Sequence, residues 1–328
     1  MVLGQKTKIE WRWGKYRWIV LGLIVLSVIA SRVFVPIRPE IQLPAEALTS
    51  RPLISAPVIG DIYLTNTIVA MLLVDLLVVI IALVVRSAVR KDNLVPSGFY
   101  GAVEALVETI YELTESTTGA KWAKKIFPYF FSITLVVLLA NWMELIPGVD
   151  SIGLLVGAGE KGYPIRPWGP ISALVKGEVS SEGYNVVPFV RALSTDLNFT
   201  LALAVFSVAM TQIFGVQALG MKYFTKFWNT KTLFSKPVFG LMDWVVGLLE
   251  LVSEFAKIIS FAFRLFGNIF AGSVLLFVIG TLLPVAAQSV FLGLELFVGV
   301  IQAFVFGMLT MVFMAQAVQG HDVADEEV

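Results

Sequence analysis

Six polar residues interrupt an apolar stretch in the last third of the chain: Asp243, Glu250, Glu254, Lys257, Arg264 and Asn268. At ~100° per residue on a helix they fall within an arc of about 80°. The rest of that circumference is mostly Val, Leu, Ile, Phe and Ala, and Ser253 and Ser260 border the stripe. The next apolar stretch carries Gln288, Glu295 and Gln302 at heptad spacing. These residue types suit ion handling better than bond chemistry. Arginine keeps its proton under ordinary conditions, so it serves as a fixed positive barrier or counter-ion. Glutamate can take and release a proton. An arginine in mid-membrane costs ~2.5–3.5 kcal/mol on insertion scales, which makes a functional role the default reading. The blander alternative is an arginine paired with a neighbouring carboxylate to hold helices together.

Such a stripe needs a membrane around it, and the composition supplies one. Of 328 residues, 57% are hydrophobic and 15% charged, against roughly half and a quarter in an ordinary soluble domain. With no cysteine, disulfides, thiolate nucleophiles and Cys-based metal sites are excluded. The lone histidine, His321, sits in a polar tail and cannot build a metal site alone. A formal net charge of zero argues against a nucleic-acid partner. The phosphate-binding Gly-x-x-x-x-Gly-Lys-Ser/Thr motif is absent. No cofactor is expected.

Crossing ~30 Å of hydrocarbon takes ~20 apolar residues. Six segments qualify: Trp18–Pro36, Leu64–Val85, Ile126–Pro147, Leu197–Leu219, one between Pro237 and Pro284, and Val285–Gln319. Basic residues cluster before the first (Lys6, Lys8, Arg12, Lys15, Arg17), between the second and third (Arg86, Arg90, Lys91, Lys121, Lys124, Lys125), and between the fourth and fifth (Lys222, Lys226, Lys231, Lys236). With six spans these regions share one side, which the positive-inside bias makes cytoplasmic. Both termini are then cytoplasmic. The first span has a rival reading. A basic start and the apolar run Trp18–Ala30 also fit a signal peptide, but no clear small-x-small cleavage site follows, and a retained anchor is expected. Glu104, Glu108, Glu112 and Glu115 recur at helical spacing among apolar residues, so Phe99–Glu115 reads as an amphipathic surface helix with a solvated acidic face. Gly153–Tyr184, rich in Gly, Pro and Ser, reads as an outer loop able to hold a short hairpin.

The fifth segment is too long to stand upright. Some 46 residues separate Pro237 from Pro284, roughly 69 Å of helix at ~1.5 Å per residue. Either it breaks, at Gly247 or Gly267, or it lies strongly tilted, since an ordinary tilt of ~20° cannot absorb the excess; the blander alternative is a cytoplasmic helical extension before the span proper, which Asp243 near the start partly permits. The expected fold is all-α and membrane-integral, with about six embedded helices and no β-sheet core. Its last two helices form a long, steeply tilted hairpin. Counting from Pro284, Arg264 (20 before) lies near the depth of Gln302 (18 after), and Ser273 (11 before) meets Glu295 (11 after).

The run Ser260–Gly272 contains Arg264-Leu265-Phe266-Gly267-Asn268-Ile269-Phe270-Ala271-Gly272. It resembles the signature of subunit a, the proton-channel subunit of F-type ATP synthases. Gln302-Ala303-Phe304-Val305-Phe306, Asn141-Trp142-Met143-Glu144-Leu145-Ile146-Pro147 and Thr195-Asp196-Leu197-Asn198 match three further family motifs. The resemblance covers roughly Leu64 to Gln316. It implies that Arg264 is the stator arginine facing the rotor ring's carboxylates. Asn268, Glu295 and Gln302 would line a half-channel from the outer side, with Glu144, Asp196 and Asn198 joining or approaching it. Glu250, Ser253 and Ser260 would mark the cytoplasmic exit. It further implies, as partners, a ring of c-subunits, b-type peripheral-stalk subunits and the rest of the synthase, with no nucleic acid, in a bacterial plasma (inner) membrane. Some family members carry an acidic residue where this chain has Ser273, and a histidine where it has Glu295. The ionisable group has crossed the hairpin to a position facing its usual one. The N-terminal span is unlike the best-known bacterial members, so residues 1–62 read as a cytoplasmic segment, extra anchor and outer loop, and 63–328 as the channel domain.

On this reading a proton enters near Glu295 and Asn268, neutralises a rotor carboxylate, and leaves near Glu250 nearly a turn later, with Arg264 blocking the direct route. No bond chemistry is expected of the subunit. A secondary transporter, the first rival, would show internal repeats, and none is seen. A self-sufficient ion channel, the second, would purify as an active homo-oligomer.

Overall fold

The computed structural model describes residues 16–33, 44–57, 60–89, 99–146, 148–159, 162–175, 177, 183–227, 237–283 and 286–319. The basic residues at 6–15, 90–91 and 231–236, His321, Pro284 at the hairpin tip and the Asp243 side chain lie outside that description. The chain is mostly helical. Its helices are α1 (Tyr16–Val33), α2 (Asn66–Val89), α3 (Phe99–Thr118), α4 (Ala120–Met143), α5 (Leu197–Leu219), α6 (Pro237–Leu282) and α7 (Ala286–Gln319). Among the described residues, five stretches are long and apolar enough to cross a membrane: Asn66–Ser87, Ala120–Met143, Leu197–Lys226, Trp244–Leu282 and Ala287–Gln319. The apolar part of α1, Arg17–Ile29, is shorter, and the expected first span continues into residues outside the description. α6 is one unbroken helix of 46 residues, so Gly247 and Gly267 do not break it. At ~1.5 Å per residue it exceeds a ~30 Å core, so it either inclines steeply or extends beyond the hydrocarbon.

The chain forms two compact units. The larger comprises Ile41–Val156, Val186–Gly272 and Glu295–Val328. Its core lies between helices. Ile133 and Val137 of α4, Ala204 of α5, Phe261, Ala262, Leu265 and Ile269 of α6, and Ala303 and Phe306 of α7 make one buried cluster. A second joins Ile126, Phe130, Phe214, Met311, Met314 and Val318, with Ile110 of α3 packed against it. The third holds α2 to α4 through Ala70, Val74, Ala140 and Met143. Most of α2 faces outward, as a lipid-bathed helix does. α3 buries Thr114 and Thr118, whose hydroxyls donate to the Ile110 and Thr114 carbonyls at 2.8 Å. Its four glutamates are exposed. Gly119, at φ 77°, makes the sharp turn into α4 that a side chain would strain.

Sequence reading left one feature of this unit unmarked. Ile54–Ala56 (β1) and Gly60–Ile62 (β2) pair as a small antiparallel hairpin, tied by the Ser55 hydroxyl donating to Asp61 at 2.6 Å.

The smaller unit comprises Met1–Glu40, Gly157–Asn185 and Ser273–Leu294. The expected short hairpin is here: β4 (Ile165–Trp168) pairs with β5 (Ile171–Leu174) around Gly169, at φ 66°. Trp168 and Ile171 at its tip are exposed. Tyr163 and Tyr184 exchange backbone hydrogen bonds of 2.9 Å below it. The flanking strands β3 (Gly153–Gly159) and β6 (Gly183–Pro188) form the remaining two-stranded sheet.

Candidate functional site

Within the larger unit, the polar stripe of α6 divides. Glu254 turns inward and is only 7% exposed. Arg264, Asn268, Ser253 and Ser260 are exposed on this chain's own surface. The Arg264 guanidinium donates to the Ser260 hydroxyl at 3.5 Å, a single long contact. Among the described residues no carboxylate stands within 4 Å of it. Among the described residues, then, Arg264 has no helix-holding ion pair. Permanent charge exposed on a lipid-depth helix calls for a partner outside this chain.

Toward the start of α6 the polar groups gather round a cavity of about 910 Å³. Glu250, half-buried, and Ser253 line it, together with Glu254, Lys226, Lys257 and Lys222. Lys226 Nζ stands 3.6 Å from Glu250 and 3.2 Å from Glu254, and Lys257 Nζ 3.0 Å from Glu254. The structure thus brings Glu250 and Ser253 together, while Ser260 belongs with Arg264 further along the helix.

The other end of α6 meets the first half of α7. Glu295 is buried, and its Oε1 has no hydrogen-bond partner among the described residues. Its carboxylate lies directly over Gly272, where an added Cβ would overlap it. The Phe261 and Phe306 rings pack 5.2 Å apart. Both contacts place α6 and α7 antiparallel, within one residue of the register counted from Pro284. Gln302 is half-buried, and its Oε1 too is buried without a partner among the described residues. Ser273, the next residue of α6, is buried.

α4 closes onto this stretch of α7. Asn141 Nδ2 donates to the Gly299 carbonyl at 3.1 Å, and Trp142 Nε1 to that of Leu296 at 3.3 Å. Ser194 Oγ donates to Asn141 Oδ1 at 2.6 Å. Gly299 and Gly307 make the approach possible, because a Cβ there would press on Asn141 and on Thr134 respectively. Glu144, at the end of α4, is buried, as is Asp196. Asp196 has a structural duty: it caps α5 by accepting from the Asn198 backbone N–H at 2.9 Å. Asn198 is exposed.

Sequence reasoning did not single out Asn141, Ser194 or Gly272 as site residues. Asn141 was findable as an amide at the end of an apolar helix. Ser194 carried no signal, and Gly272, though part of the signature run, gave no hint of its role, since a small residue announces neither its partner nor the group it makes room for.

Embedded ionisable groups on long apolar helices, buried at one end and cavity-lined at the other, define a multi-pass helical membrane protein with a polar interior. The family model for the ATP synthase A chain matches residues 68–315. The chain therefore belongs to the ATP synthase A chain family. Its relatives include ATP synthase subunit a of Mycobacterium ulcerans (strain Agy99), 27% identical over 260 residues, which cover 78% of this chain and 87% of the relative. ATP synthase subunit a of Helicobacter pylori (strain Shi470) is 29% identical over 252 residues, covering 76% and 90%.

Proposed function

We propose that this chain is the proton-translocating stator subunit of an F-type ATP synthase membrane sector, with two offset half-channels and Arg264 facing the carboxylates of a rotor c-ring. The observation that carries this reading is the separation of the polar groups along α6. An exposed arginine lies between a buried Glu295, whose Oε1 has no partner among the described residues, and an open cavity at Glu250; no described carboxylate pairs with the arginine.

A proton from the outer side passes Glu144, Asp196 and Asn198 and reaches Glu295, Gln302, Asn268 and Ser273. It neutralises a rotor carboxylate, which then rotates into lipid. An ionised carboxylate could not, because its desolvation is prohibitive. The proton leaves past Ser260, Ser253 and Glu250 to the cytoplasm. The bared carboxylate is drawn to Arg264, whose fixed charge blocks direct passage between the half-channels. Each elementary charge gains about 2.3 kcal/mol per 100 mV. The subunit moves protons and makes no bonds. It sits in a bacterial inner membrane with both termini cytoplasmic, against the c-ring and b-type stalk subunits. Residues 1–62 add an anchor ahead of the channel domain at 63–328.

Arg264→Ala tests the reading. Proton-driven ATP synthesis should vanish while the complex remains assembled, and passive proton leak should rise. Arg264→Lys should be impaired as well, since an ammonium lacks the planar fork. Assembled complex and pumping are measured in the same vesicles, and normal coupled pumping by Arg264→Ala would falsify the mechanism.

A further inference from the structure

The 3-10 segment Gly220–Lys226 follows α5 and forms one wall of the cavity at Glu250. Two glycines hold it in place. The Tyr223 ring lies against Gly215 of α5, where an added Cβ would overlap it. The carbonyl oxygen of Phe227 would stand 2.6 Å from a Cβ on Gly247 of α6. The segment is thus wedged between two helices, and Lys226 enters the cavity from it.

The two carboxylates in that cavity are held very differently. Glu254 Oε1 accepts from Lys226 at 3.2 Å and from Lys257 at 3.0 Å, and its Oε2 accepts from Gln212 Nε2 at 3.0 Å. Gln212 is fixed in turn by the Tyr223 hydroxyl, which donates to its Oε1 at 2.7 Å. Each ammonium also rests on aromatic faces: Lys226 lies 4.4 Å from the Tyr223 ring and 4.5 Å from Phe227, and Lys257 lies 4.7 Å from Phe313. These contacts restrict the cations. A carboxylate offers about four acceptor sites, and three of those on Glu254 are filled by donors that are themselves anchored. Glu250, by contrast, is half-exposed to the cavity, and its one ion pair among the described residues is with Lys226, at 3.6 Å. Beside these, the cavity is lined by the polar side chains of Lys222 and Thr225 of the same segment, Thr211 of α5, Ser253, and Gln316 and Gln319 of α7.

We infer a division of labour: Glu254 is a fixed counter-ion outside the relay, and Lys226, pinned by it, is a positioning residue that holds the Glu250 carboxylate in the cavity as acceptor of the departing proton. The inference rests on the exit reading of Glu250 given above. It makes Lys226 act only through Glu250.

A double-mutant cycle tests that dependence. Assembled complex and proton-driven ATP synthesis are measured in vesicles for Lys226→Met, Lys226→Arg, Glu250→Gln and the combination Lys226→Met with Glu250→Gln. Lys226→Met should slow synthesis per assembled complex roughly three- to tenfold, within the range for residues sharing an ion-pair network. Lys226→Arg, which keeps the charge, should stay near the wild-type rate. The combination should be no slower than Glu250→Gln alone. Two results overturn the inference while leaving the exit reading intact. In one, Lys226→Met runs at full rate per complex, including the case where only assembly suffers. In the other, the combination loses the same extra factor, so that Lys226 acts independently of Glu250. If Glu250→Gln itself synthesises ATP at the wild-type rate, the exit reading fails and takes this inference with it.

Discussion

At the scale of single residues, burial and exposure separate the groups that share one stripe. Glu295 is sequestered with an oxygen lacking a partner among the described residues, the condition under which a carboxyl exchanges protons with a mobile donor rather than staying locked in a pair. Glu295→Gln keeps the shape and removes the exchange, so proton-driven ATP synthesis should fall sharply with the complex assembled. Glu295→His should keep part of the rate, since imidazole titrates near working pH. Full synthesis by Glu295→Gln would take the residue out of the relay. Gly272→Ala should mimic the loss without touching a titratable group, because the added methyl claims the space of the Glu295 carboxylate. Asp150, in the turn after α4, has a different kind of pH dependence. Burial lifts its carboxyl from 3.8 to about 6, against the opposing pull of the Arg191 guanidinium. The folded chain therefore holds a proton that the unfolded chain releases between those two values. Stability should fall as pH rises from about 4 to about 6 and level off above. Heating the detergent-solubilised protein across that interval should give a declining midpoint, flattened in Asp150→Asn. An unchanged slope in Asp150→Asn would assign the decline to other groups.

At the scale of elements, the α6–α7 register sets which groups share a depth. The chain has no native cysteine, so cross-links report it cleanly. Phe261→Cys with Phe306→Cys, whose rings now pack 5.2 Å apart, should link readily under mild oxidation. Efficient links only at pairs displaced by a turn would discard the register. The ion cluster at Glu254 ties α6 to α5 and to the segment between them. Removing one partner of a buried ionic cluster costs about 3–5 kcal/mol. Glu254→Gln should accordingly lower the amount of assembled complex, with the survivors slowed no more than by Lys226→Met, since only the hold on Lys226 is lost. Quantifying complex and rate together distinguishes this from a relay defect, which would do the reverse.

At the scale of the whole molecule, the exposed Arg264 face is the reason to expect company. Purification in mild detergent should bring down a ring of small two-helix subunits with this chain, and a homo-oligomer active alone would favour the ion-channel alternative. Reporter fusions at the two termini should agree with each other and disagree with one placed in Gly153–Tyr184. An external C-terminus would overturn the six-span orientation.

By itself the sequence determined the spans, because the cost of burying backbone and charge in hydrocarbon is written into length and polarity. It also determined that α6 is too long to stand upright wholly within the hydrocarbon, at 46 residues. The near-symmetric spacing about Pro284 set the register to within a residue. Local spacing could not say which members of the α6 stripe face inward. Glu254 and Arg264 lie on one helical arc, yet neighbours from α5 and the 220–227 segment bury the first and leave the second bare. Nor could it reveal that Asn141 meets Ser194, 53 residues away, or that Gly272 makes room for Glu295. Such pairings depend on how closely helices approach, and close approach is decided by small residues on facing elements. Those become neighbours only when the helices pack.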